Sequence, residues 1–199
     1  MKKMFFITIF VIIGFIIFSC KNKADYAKQV EKIVKKDRMV QSKETAKEFM
    51  TYLKGELTNA IKKSGPQGAI EVCKTLSPET EKKFKEKDLE IISFRRVSLK
   101  PRNVEKHTPT QAEQEWLTKT ETDMKKNIKP EPGLIESTDK TTVLLPIVIK
   151  DKKCLMCHGD PTNFGDELKA ILKKNYPKDQ AVNYKMNDLR GALVIEWKK

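Results

Sequence analysis

Apolar residues are distributed unevenly along this chain. Met4 to Phe18 form an uncharged, largely apolar run, with Lys2 and Lys3 before it and Ser19 and Cys20 after it. Between residues 21 and 40 lysines dominate, yet Tyr26, Val30, Ile33 and Val34 recur at helical spacing, which predicts a helical spacer. A second helical stripe, Phe49, Tyr52, Leu53, Leu57, Ala60 and Ile61, predicts an amphipathic helix ended by Gly65 and Pro66. Ala69, Ile70, Cys73 and Leu76 then put a cysteine in the middle of the apolar stripe of a short helix, facing inward. Ser77 and Pro78 read as the N-cap and first position of the next helix.

The period then changes. EIISFRRV, Glu90 to Val97, is rich in β-branched and aromatic residues and predicts a strand. The polar loop LKPRNVEKH leads to Thr108-Pro109-Thr110-Gln111, a helix start with a capping box, and Pro130, Pro132 and Gly133 break that helix. Thr141 to Ile149 predicts a strand in which Pro146 requires an edge or a bulge. A helix from about Asp166 to Lys174 and an apolar strand from Gly191 to Trp197 follow, with a tight turn at Asn187-Asp188. Helices first, then three or more strands with helical insertions, predict an α+β domain.

Charge and cysteine usage add location. The apolar start is shorter than the roughly 20 residues a transmembrane helix needs, so it reads as the core of an export signal. Ile17-Phe18-Ser19-Cys20 resembles a lipobox, although Phe18 is bulkier than that box usually carries, and makes Cys20 the expected lipidation site. An uncleaved anchor or plain secretion are the alternatives, and all three place the body outside the cytoplasm. The expected organisation is a signal peptide at 1–19, a lipid-anchored helical spacer at 20–40 and one domain at 41–199. Loss of residues 1–19 removes Lys2 and Lys3 and no acid, leaving +11 of the formal +13. An exported protein has no use for nucleic acid, so this surplus points to anionic lipid or an acidic redox partner. Much of it, as in EKKFKEKDLE, is a solvated helix face.

The chemistry centres on Cys154-Leu155-Met156-Cys157-His158. Cys-x-x-Cys-His attaches haem through two thioethers, with the adjacent imidazole as proximal ligand. A Cys₃His zinc site with Cys73 would want a second paired knuckle, and a redox dithiol would want a βαβ context; neither is present. Met156 sits inside the attachment loop and is a poor candidate for the far side of the iron. The distal candidates are Cys73, His107, Met124 and Met186, or an open site. With Cys20 lipidated and Cys154 and Cys157 on haem, Cys73 is the one thiol of four left without employment. Arg95, Arg96 and Arg102 are candidates for the haem propionates; in a strand Arg95 and Arg96 face opposite ways, so at most one of them reaches the pocket.

In order along the chain, AIEVCKTLSPE, FRRVSLKPRN, PIVIKDKKCLMCHGD and NDLRGALVIEW resemble the single-haem c-type cytochrome domains first catalogued as a domain of unknown function, over roughly residues 40–199. That resemblance implies a PAS-like antiparallel sheet with flanking helices, here on an N-terminal helical stalk. It also implies one covalent haem c with cysteine/histidine axial ligation, the proximal histidine falling on His158 and the distal cysteine on Cys73. Members are suspected redox or ligand sensors. The family's Arg-Asn-Pro-x-Asn is here Arg102-Asn103 followed by Val104 to His107, which keeps His107 in play near the pocket, and Asn187-Asp188 stands where Gly-Asp is usual. The expected function is a periplasmic-side, membrane-tethered redox or diatomic-ligand sensor that signals through a partner protein, with an extracytoplasmic electron carrier as the alternative. No distal acid/base pair suggests an enzyme.

Overall fold

The structure, a computed structural model, describes residues 4–199, with side chains described at residue 23 and from residue 25 onward. The expected signal peptide and Cys20 lie outside the residues whose side chains are described. Among those that are, no helix is long and apolar enough to cross a membrane. The chain divides into two units, Met1–Val40 and Gln41–Lys199. The first is wholly helical where described, and Tyr26, Val30, Ile33, Val34 and Val40 are exposed on it.

Helix α1 (Met4–Lys74) is interrupted at Ser64 and Gly65. Gly65 takes φ 67° and ψ −172°, a conformation only glycine adopts without strain. Pro66 then restarts the helix, since its missing N–H is no loss in a first turn. Helix α2 (Leu76–Glu86) follows. Its N-cap is Thr75, not Ser77; Ser77 lies inside the first turn, buried, and accepts a hydrogen bond from the Arg96 guanidinium. Pro78 is tolerated there for the same reason as Pro66.

Strand β1 (Ile91–Val97), a single helical turn α3 (Val104–His107) and helix α4 (Gln111–Lys125) come next. Thr110 caps α4 in the expected capping box, with the Thr110 N–H donating to Glu113 Oε2 at 2.8 Å. Strands β2 (Gly133–Glu136), β3 (Lys140–Val148) and β4 (Leu189–Lys198) complete an antiparallel sheet of order β1-β4-β3-β2. Between β3 and β4 lie helix α5 (Lys152–His158), a short 3₁₀ turn and helix α6 (Asp166–Asn175).

The α+β expectation therefore holds, with one strand more than the three read directly from sequence. Pro146 lies at an edge, since β2 pairs with β3 only as far as Leu144; it is itself in register with Ala192, and the bulge follows it, between Ile147 and Val148. Asn187 adopts φ 72°, as its turn requires.

The sheet carries helices on both faces. On one, Phe49, Phe84 and Phe94 pack with ring centroids 5.1–5.5 Å apart, tying α1 and α2 to β1. Trp197 is buried on β4 and donates from Nε1 to Ser42 Oγ at 2.8 Å. On the other, Leu117 of α4 is buried with Val97, Leu144, Ala192 and Val194. Gly191 has φ 155°, and a Cβ there would sit 2.2 Å from the Val97 carbonyl oxygen. Its bare backbone lets β4 pass close to the end of β1, where the two strands meet the site.

Candidate functional site

Asp151 caps α5 by accepting the Lys153 N–H at 2.9 Å. The helix then places residues 154, 157 and 158 on one face by i, i+3, i+4 spacing. Cys154, Cys157 and His158 accordingly line one cavity, while Met156 is exposed. Apolar side chains of α1, among them Leu53, Leu57, Ile61 and Ile70, form a long wall, and Cys73 belongs to the same lining. The segment that carries Cys73 is fixed against α6 by Ile70, packed on Leu168 and Leu172, and by Lys74 Nζ donating to Asn175 Oδ1 at 2.8 Å. Cys73, Cys154 and Cys157 are all free thiols. Burial raises the Cys154 thiol and pushes Cys157 up to about 11, so both stay protonated at neutral pH.

His158 Nδ1 is 2.8 Å from the Ala181 carbonyl oxygen. A carbonyl only accepts, so Nδ1 carries the proton and Nε2 keeps its lone pair free. Burial, followed by Arg190, Arg102 and Arg96, holds the ring well below the usual imidazole range, and it stands as a neutral ligand. Arg102 backs this loop. Its Nε donates to Asp179 Oδ2 at 3.0 Å, and its Nη2 donates to the carbonyls of Cys157 and Ala181, the second being the oxygen that His158 also uses. Asp179 in turn accepts the Ala181 N–H at 2.8 Å.

The other predicted residues separate by strand face. Arg96 lines the cavity and donates to Glu81 Oε1 at 2.7 Å and to Ser77. Arg95 does not belong to the pocket: it points to the opposite face, where Nη2 donates to buried Glu113 Oε1 at 2.6 Å. His107 is not an exposed loop residue. It ends α3, lines the cavity and stands 4.0 Å from Glu81 Oε1. Burial first, then Arg96 and Arg190, bring it down to about 3, so it is neutral.

Met186 packs with Ile149, Ala181 and Tyr184, and Met124 against the Leu117 cluster; neither lines the cavity. Among the lining residues that the sequence does not single out is Arg190. Arg190 donates from Nη1 to Ser98 Oγ at 2.9 Å and lies 5.3 Å from the Tyr184 ring. Its signal was a lone arginine in the otherwise apolar strand LRGALVI.

Two thiols and an imidazole on one helix face, a third thiol, long apolar walls and several guanidinium groups fit an iron porphyrin that carries carboxylates. Among the described residues no three His, Cys, Asp or Glu side chains gather closely enough to hold a metal ion directly, so the donors surround a space instead of a point.

The Tll0287-like family profile matches residues 21–197 of this chain. Among solved structures, the crystal structure of the cyanobacterial heme-protein Tll0287 superposes with a TM-score of 0.51 at 19% identity, covering 73% of this chain and 94% of that one. No curated protein matches.

Proposed function

The chain belongs to the Tll0287-like family, and from that premise, with the donors around its cavity, we propose that it holds one haem c and serves as an extracytoplasmic, membrane-tethered redox or small-ligand sensor. The cyanobacterial protein of the same fold is itself described as a heme-protein. Cys154 and Cys157 would hold the haem covalently, and His158 Nε2 and Cys73 Sγ would be the donors to its iron. Cys20 supplies the lipid anchor, and a separate protein receives the signal. The observation that carries this assignment is Cys73: a free thiol in the cavity lining that also holds Cys154, Cys157 and His158.

Bound there, haem would supply a one-electron ferric/ferrous couple and a seat for a diatomic ligand. The residues decide how that couple is used. As a thiolate, Cys73 donates electron density, favours the ferric state and lowers the potential. A proton taken up at Cys73 Sγ would cost the sulfur its anionic donor character. His158 stays in place because Ala181 fixes its Nδ1 proton. With Cys73 holding the iron no place would be left for a peroxide, and the proposal is for a non-enzymatic protein.

An electron carrier is favoured by one feature, the exposed Lys54 and Lys153 that border the cavity and suit an acidic partner. One spectroelectrochemical titration separates the two, with the purified protein beside Cys73→Ala. The sensor predicts thiolate-type absorption and electron-spin-resonance spectra in the ferric state, lost in the variant, and a changed ligand set on reduction. Unchanged ferric spectra in Cys73→Ala would sink thiolate ligation, and a ligand set intact in both redox states would favour the carrier.

A further inference from the structure

Two arginines of the cavity have more donors than partners. Arg102 is 6% exposed and fixed by bonds from Nε and Nη2, so its plane cannot turn. Its Nη1 is nevertheless buried and donates to nothing. A buried donor left unmade carries its whole desolvation cost, and native structures avoid that unless something else fills the role.

Arg190 lines the same cavity; its Nη1 donates to Ser98 Oγ and, at 3.4 Å, to the Lys100 carbonyl, and the Tyr184 hydroxyl is a further partner. Among the described residues no carboxylate lies within ion-pair distance of it, whereas Arg96 has Glu81 and Arg102 has Asp179. The side chain is largely enclosed, and burial together with its neighbours Arg102 and Arg96 holds its guanidinium below the usual range. Cations gathered without an intervening anion repel one another, and a charge taken out of water without a partner is costly. The wall therefore has one positive charge without a carboxylate and one N–H without an acceptor. Guanidinium groups take carboxylates in paired, planar hydrogen bonds.

We propose that Arg102 Nη1 and Arg190 form a clamp for one haem propionate, which makes Arg190 a positioning residue for the haem. This rests on the haem assignment above. Arg102 then holds two parts of the site at once: Nη1 takes the propionate, while Nη2 holds the carbonyl that orients His158.

The test is resonance Raman spectroscopy of the full-length haem-loaded protein, with reduction potentials on the same samples, for wild type, Arg190→Gln and Arg190→Lys. Covalent haem is checked first by in-gel staining; its absence sinks the haem assignment and the clamp together. The expected wild-type propionate bending modes are those of hydrogen-bonded propionate. In Arg190→Gln they move towards the unbonded position and the potential falls, because a nearby positive charge favours the reduced state. Arg190→Lys keeps the charge without the fork, so it retains the potential better than the band position. Unbonded propionate modes in the wild type overturn the clamp while leaving haem attachment standing, and this result needs no variant to fold. Modes and potential in Arg190→Gln identical to wild type overturn it equally.

Discussion

Arg95 and Arg96 are consecutive residues of β1, yet they meet opposite surroundings. On the α4 side of the sheet Arg95 reaches Glu113, which is 2% exposed and also completes the capping box of its own helix. Leu117 fills the remaining space there, and that face is closed. On the α1 side Arg96 joins Arg102 and Arg190 around an open volume, where Glu81 pairs with Arg96 and Asp179 with Arg102. One face is matched charge for charge and packed; the other keeps a cavity, surplus cations and free thiols. A fold can bury arginine on either side, but only the unmatched side implies something still to be bound.

The largest effect is expected on the closed face. Arg95→Ala leaves the Glu113 carboxylate buried without its cation and should cost about 3–5 kcal/mol in urea unfolding. The haem spectra should not change, because Arg95 does not line the cavity. A loss of stability accompanied by altered haem spectra would contradict the separation of the two faces.

How far this division was legible in the sequence depends on the range of the interaction that creates it. Gly65-Pro66, the Thr110 capping box and the Asn187 turn are set by residues within four positions of one another, and the structure has them as expected. The opposite aim of Arg95 and Arg96 followed from strand alternation alone. Which of the two met a cavity did not, because Glu113 and Glu81 are brought up by helices separate in the chain. Strand β2 was missed because it has only four residues, beginning at a glycine between two prolines and a turn, too short for alternation to show. Ser77 has cap chemistry, but its hydroxyl is used by Arg96, nineteen positions later. Arg190 is illegible in sequence for the same reason: its meaning lies in what it lacks, and a missing partner is visible only in three dimensions.

The open face also holds the group whose titration best reports on it. His107 is pulled down from 6.5 to about 3 by burial and by Arg96, Arg190, Lys106 and Arg95, with Glu81 Oε1 the carboxylate 4.0 Å away. Above pH 6.5 the ring is neutral folded or unfolded, and the stability it allows is fully present. Below that the unfolded chain takes up a proton that the folded chain refuses, so stability falls as pH falls, until about pH 3. Between pH 6.5 and 5 the haem-free chain should lose about 2 kcal/mol that His107→Gln retains. Parallel pH profiles for the two chains would show that the imidazole is not enclosed as described.

The smallest shift is the one whose sign matters most. In the haem-free chain the Arg190 charge is carried without a carboxylate among the described residues, and Arg190→Gln relieves that cost. Against the gain stand the bonds to Ser98 and the Lys100 carbonyl and the contact with the Tyr184 ring. Replacing an unmatched buried charge is often neutral or favourable, so the net change should lie between zero and about 1 kcal/mol of added stability. Arg95→Ala on the closed face has the opposite sign, although both variants remove one guanidinium from the same sheet. Once haem is attached, the sign at Arg190 should reverse, because the clamp then has its carboxylate. Thermal unfolding of both variants, each with and without haem, measures all of these differences. If Arg190→Gln were as costly as Arg95→Ala in the haem-free chain, the cavity would already be electrostatically complete and nothing anionic would be missing from it.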